Sequence, residues 1–424
     1  MSGSWGPAML SLAVRGMTPS PTVAINELSD ALRRQGRTIH KLGLGQSPFP
    51  VPRPVVEALQ RHAHEKDYLP VKGLPALRTA IARYLERRRG VGRAAEDVLV
   101  APGSKELMVL LQVTFYGDLL LPTPAWVSYA PQAHVLGRVV HYLPMRADDR
   151  WRLDPRALDA HCRERPDRPR IIILNYPSNP AGTTYTRDEL AAIAEVAREH
   201  RLIVLSDEIY GELHHEGGHV SISELYPEGT IVSTGLSKWC GAGGWRLGAF
   251  IFPRELRWLL DAMAAVASES YTSTSAPIQH AAVTAFELGP EIEAYLGRAR
   301  GVLRGLGAMV TDALRATGAR VERPEGGFYV FADYGPRRDE LAARGIRTSS
   351  ELATRLLAET GVALLPGAAF GRPEQELGLR LAYVDFDGAA ALEAAAREPI
   401  DDGFVQRHGG GVVCAMAALR TFFS

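Results

Sequence analysis

The chain has 424 residues, of which 46% are hydrophobic, and at about 150 residues per domain this length predicts two or three folded domains. Its 48 basic and 48 acidic side chains cancel, which excludes the strongly basic surface typical of nucleic-acid or anionic-membrane binding and favours a small-molecule partner. No apolar run approaches the roughly 20 residues of a membrane span, and Met1–Ala13 lacks the pattern of a secretory signal, so we expect a soluble protein.

Apolar residues at three-to-four spacing predict helices over Ala24–Gly36, Pro52–His64 and Leu74–Arg89. Short apolar runs then alternate with helical patterns up to about residue 276. The predicted strands are Leu119–Leu121, Val139–His141, Ile171–Leu174, Leu202–Leu205, Ile231–Val232 and Leu247–Ile251, and the predicted helices among them are Lys105–Thr114, Arg187–Glu199 and Arg254–Val266. This alternation is typical of an α/β fold with a mostly parallel sheet that helices cover on both faces.

The pattern changes after about Ala276. One long helical stretch is predicted from Pro277 to Thr317, and Gly409–Gly411 is interpreted as a helix entry or hinge. The remaining predicted elements are strands Phe328–Phe331 and Leu379–Tyr383 and helices Ser350–Glu359 and Ala389–Ala396. We expect an N-terminal arm that is part of a small α+β domain (1–52), a large domain (53–287) and the rest of the small domain (288–424).

Cysteine and lysine are both rare. The three cysteines, Cys162, Cys240 and Cys414, are too few for a disulfide framework or a four-ligand zinc site, which favours a reducing, cytoplasmic setting. Only five of the 48 basic residues are lysines. Codon bias explains most of this ratio, but because only an amine can form an imine with an aldehyde, each lysine is a candidate for such chemistry.

Sheets of this kind bind ligands at the carboxyl ends of their strands. Three predicted strands deliver polar residues to that edge. The segments that follow them are Asn175–Gly182 with Asn179, Ser206–Tyr210 with Asp207, and Ser233–Lys238. An asparagine, an aspartate, a tyrosine and a lysine are therefore expected to meet at one rim of the sheet.

These segments resemble the class I/II aminotransferases, pyridoxal-phosphate (PLP) enzymes of fold type I in the aspartate aminotransferase superfamily. Further matching motifs follow the family's order along the chain: Tyr68–Leu74, Pro124–Tyr129, Gly244–Gly248 and Gly378–Leu381. The resemblance implies the fold, a large domain with a mostly parallel central sheet and a smaller α+β domain. It also implies an aminotransferase that moves the α-amino group of an amino acid to a 2-oxo acid through a cofactor aldimine and a pyridoxamine-phosphate intermediate.

The resemblance gives catalytic roles to three residues. Lys238 would bind the cofactor aldehyde and serve as general base. Attack on the aldehyde requires the neutral amine, and no carboxylate adjoins Lys238 in sequence to favour the charged form; the alternative is a solvated surface lysine. Asp207 would hold a proton on the pyridine nitrogen, because a buried carboxylate needs a cationic partner; the alternative is a helix cap. Tyr210, together with Asn179, would hydrogen-bond the ring's phenolic oxygen.

The phosphate would bind at a helix start with a cation nearby. Gly103, Ser104 and Lys105 directly precede or open a predicted helix, although Gly-Ser before a helix is usually only a cap. Arg246 would provide the guanidinium. The sequence departs from the family at Gly235, where many relatives carry a phosphate-binding serine, and Ser233, Thr234 or Ser237 are possible substitutes.

The remaining predicted contacts also come from the resemblance. Trp126 would stack on the pyridine ring, unless it is a plain core tryptophan. Tyr68 would reach the phosphate of a neighbouring subunit, which implies a homodimer with shared active sites. Arg380 would bind the substrate α-carboxylate with its planar fork, next to the backbone of Gly45. No metal is expected.

Two alternatives to transamination remain open from the sequence. A lyase, cyclase, racemase or oxidase could use the same cofactor and scaffold. A non-catalytic cofactor sensor would need an attached DNA-binding domain, and no basic helix-turn-helix pattern is present.

The substrate is also open. The stretch Ser268–Thr274 has no arginine for a side-chain carboxylate, which argues against a dicarboxylic donor. The aromatic residues Tyr271, Phe49, Tyr329 and Phe331 either favour an apolar or aromatic substrate or belong to the core.

Overall fold

The computed structural model describes residues 9–424, so most of the Met1–Ala13 segment lies outside the described residues. Twelve strands are present in this part of the chain. They are β1 (His40–Lys41), β2 (Val98–Ala101), β3 (Asp118–Thr123), β4 (Val140–Pro144), β5 (Arg170–Asn175), β6 (Ile203–Asp207), β7 (Thr230–Gly235), β8 (Gly248–Ile251), β9 (Tyr329–Asp333), β10 (Val362–Ala363), β11 (Leu365–Pro366) and β12 (Gly378–Ala382). The first eight residues are not described.

The helices surround these strands. They are α1 (Pro21–Arg34), α2 (Arg53–His62), α3 (Pro75–Arg89), α4 (Ser104–Thr114), α5 (Tyr129–Val135), α6 (Pro155–Arg163), α7 (Arg187–Glu199), α8 (Arg257–Ser270), α9 (Ala276–Glu287), α10 (Pro290–Ala316), α11 (Arg338–Ala343), α12 (Ser349–Thr360), α13 (Gly388–Ala394), α14 (Asp402–His408) and α15 (Gly410–Phe423). In the described residues, no helix is long and apolar enough to span a membrane.

The central sheet has seven strands in the order β2-β8-β7-β6-β5-β3-β4. Every neighbouring pair is parallel except those made by β8, which runs antiparallel to both β2 and β7. The inner strands are apolar and buried along almost their whole length, because helices cover both faces of a sheet of this type. The predicted mostly parallel sheet is therefore confirmed.

Two smaller sheets lie outside the central one. Strands β11, β12 and β9 form an antiparallel sheet, and β1 pairs in parallel with β10 through His40 opposite Val362. The N-terminal segment thus contributes a strand to a partner more than 300 residues away in the chain.

The long helical stretch predicted over Pro277–Thr317 is wrong, because the chain forms two helices there. Helix α9 ends at Glu287, and Leu288 has a left-handed φ of 51°. Pro290 then starts α10; its ring removes the amide hydrogen that a continuous helix would need. The predicted helix entry at Gly409–Gly411 is confirmed, since α14 ends and α15 begins there.

Candidate active site

The carboxyl ends of β5, β6 and β7 lie side by side. Asn175 is in register with Asp207, and Asp207 is in register with Ser233 on the next strand. The Asn175 side-chain amide donates to the backbone oxygen of Asp207 at 3.0 Å. The predicted convergence of polar residues at one rim of the sheet is therefore present.

Asp207 is a buried carboxylate with one hydrogen-bond donor of good geometry. The Tyr129 hydroxyl donates to its Oδ2 at 2.5 Å, whereas Oδ1 makes no hydrogen bond of normal geometry. Burial raises the pKa of Asp207 to about 6, although Tyr129, the Ile209 amide, the Ser233 hydroxyl and Lys238 all favour the charged form. This carboxyl group therefore lacks a close cationic partner and presents a free oxygen at the site.

The Lys238 amine lies just beyond the end of β7. Its Nζ donates to the backbone oxygen of Gly45 at 2.7 Å and lies 5.7 Å from the centre of the Tyr210 ring. Burial, followed by the positive charge of Arg380, lowers its pKa to about 8. A substantial neutral fraction of this amine is therefore available near neutral pH, which is what attack on an aldehyde requires.

Two tyrosines meet beside that amine. The hydroxyl groups of Tyr210 and Tyr329 are 2.9 Å apart, and the Tyr329 hydroxyl also faces the Gly45 carbonyl at 3.5 Å. Both side chains are buried, and burial raises the pKa of Tyr210 well above its usual value. A Cβ on Gly45 would lie 1.8 Å from the Tyr329 hydroxyl, so only glycine permits this close approach.

Arg380 is a fully buried cation without an acidic partner among residues 9–424. Its guanidinium donates to the backbone oxygen of Gly43 and to Asn179 Oδ1, the latter at 3.4 Å, while Nε makes no hydrogen bond. The group lies against the rings of Tyr329 and Phe370. Because burying an uncompensated charge is unfavourable, this arrangement is suited to an anionic ligand.

The start of α4 forms a close-packed backbone cradle. Gly103 has a φ of 94°, and a Cβ there would lie 2.4 Å from an Arg246 guanidinium nitrogen. A Cβ on Gly248 would lie 2.2 Å from the Ser104 amide nitrogen. Arg246 is held by the carbonyls of Gly243 and Pro102. A helix start with a guanidinium in contact is a ready site for a phosphate.

Gly235, the position that departs from the family pattern, has a local structural reason. A Cβ there would lie 2.8 Å from the Leu247 carbonyl oxygen, so this backbone leaves no room for a serine side chain. Of the substitutes suggested from sequence, the Ser233 hydroxyl is buried beside Asp207. Ser104 opens α4 at the cradle, so its hydroxyl and the α4 amides are available to a phosphate there.

Trp126 stands half-buried next to the cradle. Its ring contacts the edge of Tyr129 at a centroid distance of 5.1 Å, and the Lys105 Nζ lies 5.2 Å above the ring. Burial and then the charge of Arg246 lower the pKa of Lys105. The position allows the indole to face a planar ligand between the cradle and Asp207.

Tyr68 is the predicted site residue that this chain does not bring to the others. Its side chain is 88% exposed and makes no hydrogen bond within residues 9–424. Among the aromatic residues considered for substrate preference, Tyr329 lines the site, whereas Phe49 and Phe331 are buried core residues. The sequence reasoning missed a role for Tyr129 and Asn175, although both stand inside the motifs that carried the resemblance.

The comparison with known proteins decides the family. A family model described as aminotransferase class I and II matches residues 37–395. The chain belongs to this family. This aminotransferase therefore uses PLP, and the predictions of fold type I, cofactor and transamination are confirmed.

Relatives of this aminotransferase cover nearly the whole chain. An aspartate aminotransferase of Geobacillus stearothermophilus is 34% identical over 91% of this chain and 96% of its own length. An aspartate/prephenate aminotransferase of Thermus thermophilus is 34% identical over 92% and 98%. The solved structure of aspartate aminotransferase from Thermus thermophilus with maleate superposes with a TM-score of 0.81 at 32% identity, covering 91% of this chain and 97% of that one.

The residues of this aminotransferase fit PLP on three observations. The free Oδ1 of Asp207 can accept from a protonated pyridine nitrogen. The Gly103 cradle, with Arg246 in contact, can accommodate the phosphate. The Lys238 amine, whose pKa is lowered to about 8, can bind the aldehyde. No carboxylate pairs with Arg380 among the described residues, so this guanidinium can bind the carboxylate of a substrate.

Proposed function

We propose that Lys238 is the residue that binds the cofactor aldehyde and then moves the proton at the substrate α-carbon. The supporting observation is a largely buried amine, next to the cation Arg380, whose pKa is lowered to about 8. Near that pH the amine can both take and return a proton, which is the condition for an efficient general base.

Asp207 would bind the pyridine nitrogen, and Tyr129 would hold Asp207 in position. When bound, PLP supplies a protonated pyridine ring that accepts the electron pair left when the α-proton departs. Asp207 Oδ1 keeps that proton in place as a charge partner, and the Tyr129 hydroxyl, 2.5 Å from Oδ2, orients the carboxylate and keeps it ionised. Trp126 covers the ring, and Tyr210 and Asn179 hold its phenolic oxygen.

The two anionic groups of the reaction have separate binding sites. The phosphate is bound by the backbone at Gly103, by Ser104 and by Arg246, with Lys105 as a second cation. Arg380 binds the substrate α-carboxylate, exchanging the neutral oxygens of Gly43 and Asn179 for a charged partner, and the Gly45 backbone lines the same place. This exchange fixes the α-carbon close to the Lys238 amine.

Aspartate is the amino donor that the comparisons favour, with a 2-oxo acid as acceptor. Of the two relatives described above, one is named an aspartate aminotransferase and the other an aspartate/prephenate aminotransferase. The absence of an arginine from Ser268–Thr274 argues against this donor, so an aspartate side-chain carboxylate would have to be bound by a residue outside that stretch.

The functional unit is a cytoplasmic homodimer. Tyr68 supports it, because its side chain is 88% exposed, makes no hydrogen bond within residues 9–424 and is therefore available to a neighbouring subunit. Three free cysteines are compatible with a reducing compartment. The domain division at 1–52, 53–287 and 288–424 is supported by the pairing of β1 with β10.

Reduction of the holoenzyme with borohydride, followed by peptide mass spectrometry, tests the central assignment. We expect the cofactor on Lys238, and Lys238→Ala to lose both the adduct and turnover. The adduct on another lysine, or turnover in the variant, would overturn the proposal.

The amino donor is tested with a panel of aspartate, phenylalanine and leucine, scored by conversion of the cofactor to its amine form. The shared site is tested by the activity of Tyr68→Phe and by the oligomeric state from light scattering.

A further inference from the structure

A cluster of metal-binding side chains lies away from the cofactor site. It comprises His62, Glu65 and His280, and we call it the two-histidine cluster. The nitrogen or oxygen that each residue offers lies within 4.8 Å of the other two. His62 is the last residue of α2, Glu65 follows three residues later, and His280 stands in the first half of α9.

We propose that the two-histidine cluster binds a zinc ion. Two imidazoles and one carboxylate form a common ligand set for this metal, with a fourth position left for water. No ion is present in the structure, and the proposal concerns the arrangement of the protein atoms alone.

The distances between the ligand atoms are the main support for a shared zinc ion. His62 Nδ1 lies 3.5 Å from Glu65 Oε1, and His280 Nε2 lies 4.0 Å from the same oxygen. Neither pair forms a hydrogen bond. Ligands that are each about 2.0–2.2 Å from a tetrahedral zinc ion stand roughly 3.3–3.6 Å apart. The His62–Glu65 distance falls in this range, the His280–Glu65 distance exceeds it by about 0.4 Å, and all three ligand atoms lie within 4.8 Å of one another.

The surroundings leave these atoms without other partners. His62 Nδ1 is buried from solvent and makes no hydrogen bond. Within residues 9–424, no lysine or arginine forms an ion pair with Glu65, whose carboxylate faces the imidazoles of His62, His280 and the exposed His64. The His62 and His280 rings stack at 4.6 Å with an interplanar angle of 17°; because an imidazole binds a metal in the plane of its ring, one ring must turn about its Cβ–Cγ bond for both to bind the same ion.

The backbone holds the cluster in position before any ion arrives. Helix α2 packs along α9, and the Glu65 amide donates to the His62 carbonyl at 3.1 Å, which fixes the turn between them. Next to His280, the Gln279 side chain accepts from the Leu74 amide at 2.8 Å. The 63–74 segment is thus attached to α9 at one end, and the ion would attach it at the other.

A second group of possible ligands provides an internal control. Asp159, Glu199 and His200 also lie close together, but Asp159 already accepts hydrogen bonds from Arg163 and His200 at 2.9 and 2.8 Å. Asp159 Oδ1 and His200 Nε2 are engaged with each other, so we expect no zinc there.

The test uses the full-length PLP-loaded enzyme after EDTA treatment and desalting, in a Cys414→Ser background that removes the exposed thiol. Titration calorimetry with zinc chloride should saturate at one ion per chain. His62→Gln and His280→Gln should each weaken zinc binding by at least about 100-fold. Removing a residue that only hydrogen-bonds a metal ligand already costs up to about 100-fold, and removing the ligand itself should cost no less. The matched variant His200→Gln should bind zinc normally.

Cofactor absorbance and melting temperature in the absence of metal show whether each variant is folded. A measurement on the unmutated protein completes the test: cobalt(II) should give the visible absorption of a tetrahedral site, and zinc should displace it. No saturable zinc binding, unchanged affinity in a folded His62→Gln or His280→Gln variant, or loss of binding in His200→Gln would overturn the proposal. Because loading with PLP is verified first, these outcomes are distinct from a failure of the aminotransferase assignments.

Discussion

Replacing Asp207 with asparagine should stabilise the cofactor-free protein while abolishing activity. Burial raises the pKa of Asp207 from 3.8 to about 6, so the folded state disfavours the ionised form that dominates at neutral pH. At about 1.4 kcal/mol per pKa unit, ionisation of this carboxyl costs the apoprotein about 3 kcal/mol of stability above pH 6. Asparagine is neutral at every pH and does not carry this cost.

The sign of the pH dependence is fixed by the direction of the shift. Below pH 3.8 the carboxyl is protonated in both states and carries no penalty; as the pH rises, the penalty grows and levels off above about 6. The difference in unfolding free energy between Asp207→Asn and wild type should therefore grow by roughly 1.5 kcal/mol between pH 5 and pH 8. Any cost of the asparagine's own hydrogen bonds is the same at both pH values and cancels.

Urea denaturation of the two apoproteins at several pH values measures this difference. Asp118→Asn is the matched control of opposite sign, because the hydrogen bond from Arg168 lowers the pKa of that buried carboxyl, so the variant should lose stability at pH 8. A pH-independent difference for Asp207→Asn, or a growing loss at high pH, would refute the reasoning. Loaded with PLP, wild type should recover the lost stability, whereas the variant should not.

Three further outcomes are expected. Arg380→Lys should raise the KM for both the amino acid and the 2-oxo acid by about 10–100-fold, since a point charge replaces a bidentate fork worth roughly 1.5–3 kcal/mol; steady-state kinetics measures it. Gly103→Ala should weaken PLP binding at least about tenfold, because a left-handed residue and a 2.4 Å contact with Arg246 distort the cradle; fluorescence titration of the apoprotein measures it. The rate at which the apoprotein captures PLP should rise from pH 7 to pH 9 and then level off, since the pKa of Lys238 is about 8 and the neutral amine reacts; stopped-flow absorbance measures it.

Each of these outcomes has a control or a contradicting result. Arg372→Lys, a cation already paired with Glu376, should leave both KM values unchanged. Gly137→Ala, at a left-handed glycine with open space around it, should leave PLP binding intact. A capture rate that is constant between pH 7 and pH 9 would contradict the lowered pKa of Lys238.

The strands were the most predictable part of the fold. Runs such as Ile171–Leu174 are buried on both faces, and this makes them continuous and apolar in sequence. Strand β2, Val98–Ala101, was not predicted, because a run of only four apolar residues is ambiguous between strand and helix; the Pro102-Gly103 pair directly after it is the turn signal that could have been used. The division between α9 and α10 was missed although Gly289 and Pro290 stand at the boundary.

The motifs and the strand ends were sufficient to predict part of the site. Lys238, Asp207 and Asn179 all lie at or just after the strand ends, as predicted. Tyr129 was not assigned, because no periodicity links it to Asp207, 78 residues further along the chain. Its position three residues after Trp126, in the first turn of a helix facing the sheet edge, is the signal that could have been used. The role proposed for Tyr68 would require a second subunit, and its exposed side chain makes no contact that tests this role.

The bond from Lys238 to the Gly45 carbonyl has a mechanical consequence. It ties the loop after the central sheet to the chain that runs on from β1, and thereby to the small sheet formed with β10. If Lys238 binds the cofactor aldehyde as proposed, its nitrogen would keep at most one hydrogen, and its bond to the Gly45 carbonyl would be weakened or lost. Cofactor binding would then loosen this link between the central sheet and the β1–β10 sheet, and we expect the cofactor-free protein to be the more rigid form.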